Sequence, residues 1–328
     1  MGNCAVIGAG AWGTTISILL SENGHNVKLW SFESDLVPEM REFRENKKYL
    51  PGFPLPALIF PTDKLEEALS DAKIVIFAVP TQFLRNTFSN CGKYLKGELL
   101  IASASKGIEE GTLKLPHEII GESLKDDICV LSGPNLSREI AKGLPAATVA
   151  ASKNTAAAKS LQKALSSERF RVYTNDDVTG VELGGALKNV IAIAAGVSDG
   201  FGLGDNAKAA LLIRGIAEIT RLGLSLGAKP QTFSGLSGMG DLITTCAGNL
   251  SRNHHLGFQL AKGRTLNEIL SSMKDVAEGV PTAKAALRLA ERQKVELPIS
   301  YEVHEVLFKG KDPYQAIISL MKRAPTSE

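Results

Sequence analysis

A glycine-rich segment near the amino end has residue types suited to binding phosphate. Gly8, Gly10 and Gly13 form the pattern G-x-G-x-x-G, which follows the apolar run Ala5-Val6-Ile7 and precedes a helical run. Glycines at this spacing permit a tight turn, so that the pyrophosphate of a dinucleotide can lie at the positive end of the next helix. Glu33, 20 residues beyond Gly13, is the acid expected at the adenosine ribose. The alternative is a glycine-rich turn without a ligand, but the agreement of strand, helix and acid favours a dinucleotide site.

Lys188 is the second residue whose setting suggests chemistry. The run from Val181 to Ala194 would be apolar or small on nearly every side of a helix, so this helix should be buried. A buried lysine without a partner loses hydration, and its pKa should then fall toward the range where a neutral amine accepts a proton. That property suits a general base acting on a secondary alcohol. The helix geometry is equally compatible with a snorkelling lysine, or with an ion pair to Glu182 or Asp199.

Two kinds of element must position these residues. Up to about residue 178, short β-rich runs alternate with helical stretches, which predicts a parallel sheet covered on both faces. Beyond that point the pattern changes to helices, expected at 207–227, 251–262, 266–273 and 281–292, with almost no strand candidates. The predicted fold is therefore α/β: a Rossmann-type doubly wound domain at 1–178, followed by an all-helical substrate and catalytic domain at 179–328.

Composition excludes several classes of protein. The net charge of +2 comes from scattered lysines and arginines without a basic run, which argues against a nucleic-acid surface. The apolar stretch at residues 4–20 is interrupted by glycines and is too short to span a membrane. The cysteines are too widely spaced for a metal site: Cys4, Cys91, Cys129 and Cys246. The adjacent His254 and His255 have neither a third ligand nor the spacing of metal ligands, so we expect them to be surface or packing residues. We expect reduced, packed cysteines, no metal and a cytoplasmic protein.

Seven short motifs then occur in order between about residue 5 and residue 280. They are the glycine motif with Trp12, Tyr49-Leu50-Pro51-Gly52, Ser105-Lys106-Gly107, Ser132-Gly133-Pro134, Gly184-Gly185-Ala186-Leu187-Lys188-Asn189-Val190, Gly238-Met239-Gly240-Asp241-Leu242 and Ser251-Arg252-Asn253. Together they resemble the successive signatures of the NAD(P)-dependent glycerol-3-phosphate dehydrogenase family. The resemblance implies a Rossmann domain joined to a helical domain, a homodimer, and reversible hydride transfer between a nicotinamide and C2 of glycerol 3-phosphate or dihydroxyacetone phosphate, which supplies glycerol 3-phosphate for phospholipid synthesis.

The resemblance also implies roles for individual residues. It makes Lys188 the proton acceptor and places Lys106 against both the substrate and the nicotinamide. The implied substrate-binding residues are Lys106, Gly133, Asn135, Ser137, Lys188, Asp241, Ser251, Arg252 and Asn253. The implied cofactor-binding residues are Gly8, Gly10, Ala11, Trp12, Gly13, Glu33, Tyr49, Lys106, Arg252, Val276 and Glu278. Ser251 is in addition a good helix N-cap, and the guanidinium of Arg252 is a planar donor suited to phosphate, although an ordinary solvated helix start would have the same residues.

One departure from the family pattern concerns the choice of cofactor. The family often has a basic residue after the second strand, where this chain has Ser31-Phe32-Glu33. A carboxylate there would accept a hydrogen bond from a free 2′-hydroxyl and repel a 2′-phosphate, so we expect NAD to be preferred, with NADP possible. Two other functions stay open: a hydroxy-acid dehydrogenase of the hydroxyisobutyrate type, which would bind a carboxylate, and a regulatory nucleotide-binding module without catalysis.

Overall fold

The structure is a computed structural model that describes residues 2–124, 127–248, 251–273 and 276–324. The chain divides into two compact units. The first comprises Met1–Lys106 and Pro116–Val178, and the second comprises Gly107–Leu115 and Thr179–Glu328. Ile108, Leu113 and Leu115 of the short segment belong to the hydrophobic core of the second unit.

The first unit contains an eight-stranded sheet with the order β3-β2-β1-β4-β5-β6-β7-β8. Its strands are β1 (Asn3–Ile7), β2 (Asn26–Trp30), β3 (Ile59–Thr62), β4 (Ile74–Phe77), β5 (Leu100–Ser103), β6 (Cys129–Ser132), β7 (Ala146–Ala151) and β8 (Phe170–Asn175). Strand order changes direction at β1, which pairs with β2 on one side and β4 on the other. In open α/β sheets, ligands bind in the crevice at the carboxyl ends of the strands beside such a switch point.

Helices cover both faces of this sheet. They are α1 (Ala11–Glu22), α2 (Leu36–Phe43), α3 (Leu65–Leu69), α4 (Thr81–Cys91), α5 (Pro116–Gly121), α6 (Ser137–Ala141) and α7 (Thr155–Leu165), with a 3-10 turn at Gly92–Tyr94. Because successive strand residues face opposite sides, Val6 packs in a cluster with residues of α1 and α7, whereas Ile7 packs with α3 and α4. The predicted Rossmann-type domain is therefore confirmed.

The second unit is helical. Its helices are α8 (Val178–Phe201), α9 (Gly204–Ser225), α10 (Pro230–Phe233), α11 (Asp241–Ala247), α12 (Arg252–Ala261), α13 (Leu266–Ser272), α14 (Gly279–Gln293), α15 (Pro298–Lys309) and α16 (Pro313–Met321), with a π-helical turn at Leu236–Gly240. Within the described ranges, the helix long and apolar enough to cross a membrane is α8, and 94% of its most apolar window is buried inside the protein. The prediction of a buried helix from the run around Lys188 is therefore confirmed.

Two glycines bring α12 into backbone contact with α8. A Cβ atom added to Gly257 would lie 1.9 Å from the carbonyl oxygen of Ile193, and one added to Gly196 would lie 2.0 Å from that of His254. Any side chain at either position would force the helices apart. The close approach fixes the start of α12 relative to the helix that carries Lys188.

Three features of the fold differ from the sequence prediction. The sheet is not wholly parallel, because β6 and β7 pair antiparallel. Strands β3 and β8 were not predicted: β3 contains Pro61, which an edge strand tolerates, and β8 alternates buried with exposed residues as an edge strand does. Helices α10, α11, α15 and α16 of the second unit were also missed. The four cysteines are buried free thiols, as expected, and burial raises the pKa of Cys91 to about 12.

Candidate active site

The glycine turn after β1 has the geometry that a pyrophosphate requires. Gly8 has a φ of 117°, and a Cβ atom there would lie 2.6 Å from the carbonyl oxygen of Ala78. A Cβ atom on Gly13 would lie 1.9 Å from the Gly8 oxygen, so both positions exclude a side chain. A Cβ atom on Gly10 would meet nothing within 4 Å. Helix α1 begins at Ala11, and no side chain among the described residues caps it. Its first N–H groups can therefore bind an anion in this open space.

Two buried polar atoms in the first unit fit a bound ligand. The indole nitrogen Nε1 of Trp12 and the amide oxygen Oδ1 of Asn135 are buried, and neither has a hydrogen-bond partner within the part of the chain that the structure describes. The other amide atom of Asn135, Nδ2, donates to Thr148 Oγ1 at 3.0 Å. Buried polar atoms are normally paired, so one orphaned donor and one orphaned acceptor among the predicted binding residues fit a polar cofactor and substrate.

Glu33 follows β2 and is held by two neighbours. Its Oε2 accepts a hydrogen bond of 2.7 Å from the Tyr49 hydroxyl, and its Oε1 forms an ion pair with Lys48. Partial burial raises the pKa of Glu33, but the hydrogen bonds from Lys48 and Tyr49 outweigh it and hold the pKa below its ordinary value. The segment after β2 lacks a basic residue, as we noted, but Lys48 brings one to the same place from further along the chain.

Four of the predicted binding residues follow the carboxyl ends of β5 and β6: Lys106, Gly133, Asn135 and Ser137. Because β1, β4, β5 and β6 run parallel, these ends share one sheet edge with the glycine turn. The ammonium Nζ of Lys106 donates to the Gly133 carbonyl oxygen at 2.9 Å. Ser137 begins α6, and its carbonyl oxygen lies 3.4 Å from the Thr15 hydroxyl of α1. The structure therefore brings together the predicted residues of the first unit.

Lys188 in the second unit forms a buried cluster with Asp241 and Thr245. Its Nζ donates to Asp241 Oδ1 at 2.5 Å and to Thr245 Oγ1 at 2.6 Å. The side chains of Lys188 and Asp241 are only 9% and 2% exposed. An ion pair with Asp199 is wrong, because Asp199 lies three turns further along α8 and contacts Lys208 and His254. The sequence predicted a neutral amine only if Lys188 had no partner. Asp241 is its partner, so that condition is not met.

Close packing of glycines explains how Asp241 reaches Lys188. A Cβ atom on Gly184, one turn before Lys188, would lie 2.5 Å from the Ser237 carbonyl oxygen in the π-helical turn. A Cβ atom on Gly238 would lie 2.2 Å from the Phe233 oxygen. Gly184 lets the turn lie directly on α8, and Gly238 lets the turn pack against the end of α10. Helix α11 begins immediately afterwards at Asp241. Thr245 was not predicted, although its i+4 spacing from Asp241 places both side chains on one helix face.

The start of α12 is tied to α8 through Asn253. The Ser251 hydroxyl accepts the His254 N–H at 3.2 Å, so the predicted N-cap is confirmed. The Asn253 side chain is buried: Nδ2 donates to Asn189 Oδ1 at 3.0 Å, and Oδ1 accepts the Gly279 N–H at 3.0 Å. Arg252, the first residue of α12, is exposed. Sequence reasoning missed Asn189 as the partner of Asn253.

The remaining predicted cofactor residues precede α14. Val276 is 42% exposed, and Glu278 is the residue immediately before Gly279. Of the two adjacent histidines, His254 is buried and contacts Asp199, and His255 is exposed. Within the described residues, no group of three or more His, Cys, Asp or Glu side chains is placed to hold a metal ion.

The first unit is of the Rossmann type and has a glycine turn suited to a dinucleotide. The second unit is helical and has a buried lysine–carboxylate pair. These features define the class of two-domain nicotinamide-dependent dehydrogenases. Two family models match the chain: the NAD-dependent glycerol-3-phosphate dehydrogenase N-terminus at residues 3–158 and the C-terminus of the same enzyme at residues 177–318. The chain belongs to the NAD-dependent glycerol-3-phosphate dehydrogenase family.

Relatives match over nearly the whole chain. The chain is 49% identical to a glycerol-3-phosphate dehydrogenase [NAD(P)+] of Citrifermentans bemidjiense, over 97% of this chain and 96% of the relative. The crystal structure of a glycerol-3-phosphate dehydrogenase from Coxiella burnetii has a TM-score of 0.95 at 38% identity, covering 98% of this chain and 99% of that one. A Saccharomyces cerevisiae glycerol-3-phosphate dehydrogenase has a TM-score of 0.84 at 28% identity, with the same coverage.

Proposed function

We propose that this protein is an NAD(P)-dependent sn-glycerol-3-phosphate dehydrogenase, which interconverts glycerol 3-phosphate and dihydroxyacetone phosphate. The observation that carries the proposal is the buried Lys188–Asp241–Thr245 cluster, linked through Asn189 and Asn253 to an exposed arginine at a helix start. Such an arrangement joins a proton-transfer group to an anion-binding group. Family membership supports the same reaction.

Lys188 serves as the proton-transfer residue. When bound, the nicotinamide cofactor accepts or supplies the hydride at C2 of the substrate. In reduction the Lys188 ammonium donates a proton to the carbonyl oxygen of the substrate. The neutral amine that this leaves takes the proton from the C2 hydroxyl in the oxidative direction. Asp241 and Thr245 fix the position of Nζ, so that the proton is delivered to one atom. Asp241 is in addition a substrate contact.

The substrate phosphate binds at the start of α12. Arg252 supplies a charged planar donor, and the first-turn N–H groups after Ser251 carry the positive end of the helix dipole. Nδ2 of Asn253 has a second hydrogen besides the one given to Asn189, and this hydrogen can be donated to a phosphate oxygen. In the first unit Gly133, Asn135 and Ser137 line the substrate, and Lys106 stabilises negative charge developing on the C2 oxygen.

The dinucleotide binds at the glycine turn. Gly8, Gly10, Ala11, Trp12 and Gly13 hold the pyrophosphate, while Glu33 and Tyr49 bind the adenosine ribose. Lys106, Arg252, Val276 and Glu278 complete the cofactor contacts. We further propose a cytoplasmic homodimer that supplies glycerol 3-phosphate for phospholipid synthesis, which sedimentation equilibrium and fractionation would test.

A substrate comparison tests the proposal. NADH oxidation should be followed with dihydroxyacetone phosphate and, separately, with the carbonyl-bearing carboxylate that a hydroxyisobutyrate-type enzyme forms from its hydroxy acid. We expect turnover with the phosphate substrate and little with the carboxylate. The reverse preference would indicate a hydroxy-acid dehydrogenase, and NADH binding without turnover of either would indicate a regulatory module.

A further inference from the structure

Lys48 stands out among the charged residues that the sequence motifs do not assign. It lies in the segment between α2 and β3, and its ammonium forms an ion pair with Glu33. The two side chains remain 36% and 32% exposed. A carboxylate and an ammonium are therefore paired at the carboxyl end of β2, where both are accessible to solvent.

Neighbouring cations are engaged elsewhere. Arg44 donates to the carbonyl oxygens of Ile59 and Leu55 at 3.0 and 3.2 Å, which ties down the chain after α2. The Lys47 ammonium lies 3.4 Å from the centroid of the Phe43 ring. Lys48, in contrast, is directed to Glu33, the residue expected at the adenosine ribose.

A carboxylate and an ammonium recognise different cofactors. The Glu33 carboxylate can accept a hydrogen bond from a free ribose hydroxyl, but it repels a phosphate in the same place. The Lys48 ammonium carries three donors and a positive charge, which suit a phosphate. Because Lys48 is a flexible, half-exposed chain, it can leave Glu33 and contact a neighbouring anion without a change in the backbone.

We propose that Lys48 determines whether this protein can use NADP(H), by binding the 2′-phosphate of the adenosine ribose while Glu33 binds the free hydroxyl of NAD(H). This inference rests on the proposed cofactor site. Tyr49 holds the other oxygen of Glu33 in place, so the carboxylate keeps its position when Lys48 moves away. The Glu33–Lys48 pair would then accept both cofactors.

Calorimetric titration with cofactor fragments tests the proposal without turnover. The probes are ADP-ribose and 2′-phospho-ADP-ribose, and the variants are Lys48→Ala and, as a matched control, Lys47→Ala. Lys48→Ala should weaken binding of the 2′-phosphorylated probe by roughly ten-fold or more, the loss typical of a charge-assisted hydrogen bond, and should change ADP-ribose binding little. Lys47→Ala should leave both affinities within about two-fold, since the Lys47 ammonium lies over the Phe43 ring and its exposed charge is screened by salt.

Several outcomes would overturn the proposal. Equal weakening of both probes by Lys48→Ala would make Lys48 a structural residue, and no weakening would remove it from the site, although the cofactor site itself would stand. Failure of the unmutated protein to bind ADP-ribose at all would instead contradict the proposed cofactor site. A second variant tests the role of Glu33. Glu33→Ala removes the carboxylate and releases Lys48, so the kcat/KM for NADH divided by the kcat/KM for NADPH should decrease.

Discussion

Asn253 donates a hydrogen bond of 3.0 Å to the side chain of Asn189, the residue that follows Lys188 in α8. The two asparagines thereby connect the start of α12, where Arg252 lies, to the helix of the proposed proton-transfer residue. Gly279 closes the connection, because its N–H donates to Asn253 Oδ1 at 3.0 Å. The packing of α8, α12 and α14 therefore sets the spacing between the proposed phosphate site and the proposed proton-transfer residue.

Gly279→Ala should disturb this connection. The new Cβ atom would lie 2.7 Å from the Asn189 carbonyl oxygen and 2.8 Å from Asn253 Oδ1, so α14 or Asn253 must shift. We expect a loss of about 1–3 kcal/mol in the free energy of unfolding and a higher KM for dihydroxyacetone phosphate. Urea unfolding and steady-state kinetics measure the two effects. Gly92→Ala is the control, because its Cβ atom would meet nothing within 4 Å; equal effects of both changes would refute the argument.

Lys188→Ala should retain the fold and NADH binding but lower kcat by roughly 100-fold or more, the loss typical of removing a general base. Fluorescence titration measures the affinity for NADH, and steady-state kinetics measure kcat. Lys311→Ala serves as the control, since Lys311 is ion-paired with Glu302 in the same unit but has no proposed role. Near-normal turnover by a folded Lys188→Ala protein would remove Lys188 from the mechanism.

Arg252→Ala should raise KM for dihydroxyacetone phosphate far more than it weakens dinucleotide binding. A charge-assisted hydrogen bond to phosphate contributes on the order of 1.5–3 kcal/mol, so kcat/KM should fall roughly 10- to 150-fold. Arg252→Lys should restore only part of this loss, because an ammonium lacks the planar pair of donors.

Dihydroxyacetone without its phosphate is the control substrate for Arg252. It should be a poor substrate of the unmutated protein and scarcely poorer for Arg252→Ala. If Arg252→Ala slowed both substrates by the same factor, Arg252 would act on the cofactor or on the fold, and the phosphate would bind elsewhere.

Glu218 should make the stability of the second unit depend on pH. Its carboxylate accepts the N–H groups of Ile299 and Ser300 at the start of α15. Burial nevertheless raises the pKa of Glu218 to about 7 from 4.5, which outweighs the lowering by these hydrogen bonds. The folded state therefore retains a proton that the unfolded state has already lost.

The sign of this effect follows from the raised pKa. The stability that protonated Glu218 contributes is fully present below about pH 4.5, decreases as the pH rises toward 7, and is lost above about pH 7. The pKa difference corresponds to about 3 kcal/mol in the free energy of unfolding. Denaturant unfolding from pH 4.5 to 8 should show this decline relative to Glu218→Gln, which keeps the side-chain shape. Parallel pH profiles of the two proteins would contradict it.

Local sequence patterns were sufficient where neighbouring residues determine the structure. The glycine turn, the Ser251 cap and the buried helix around Lys188 each depend on residues within a few positions, so their spacing predicted them. The antiparallel β7 and the edge strands β3 and β8 depend on pairing across the sheet, which spacing along the chain does not encode.

The partners of the predicted residues were the least accessible to sequence reasoning. Asp241 and Thr245 lie 53 and 57 residues from Lys188, and Lys48 lies 15 residues from Glu33. Asp241 entered only as a substrate contact, because nothing in its own segment indicates that α11 lies against α8. The role of Gly184, which permits this contact, is apparent only from the packing of the π-helical turn on α8.

The proposed activity is the reduction of dihydroxyacetone phosphate to glycerol 3-phosphate by NADH or NADPH. The most direct measurement follows NADH absorbance and the ³¹P NMR spectrum of the same reaction mixture. We predict that NADH disappears only when dihydroxyacetone phosphate is present, and that one glycerol 3-phosphate forms for each NADH oxidised. An unmutated protein that binds NADH but leaves both the cofactor and dihydroxyacetone phosphate unchanged would contradict the account.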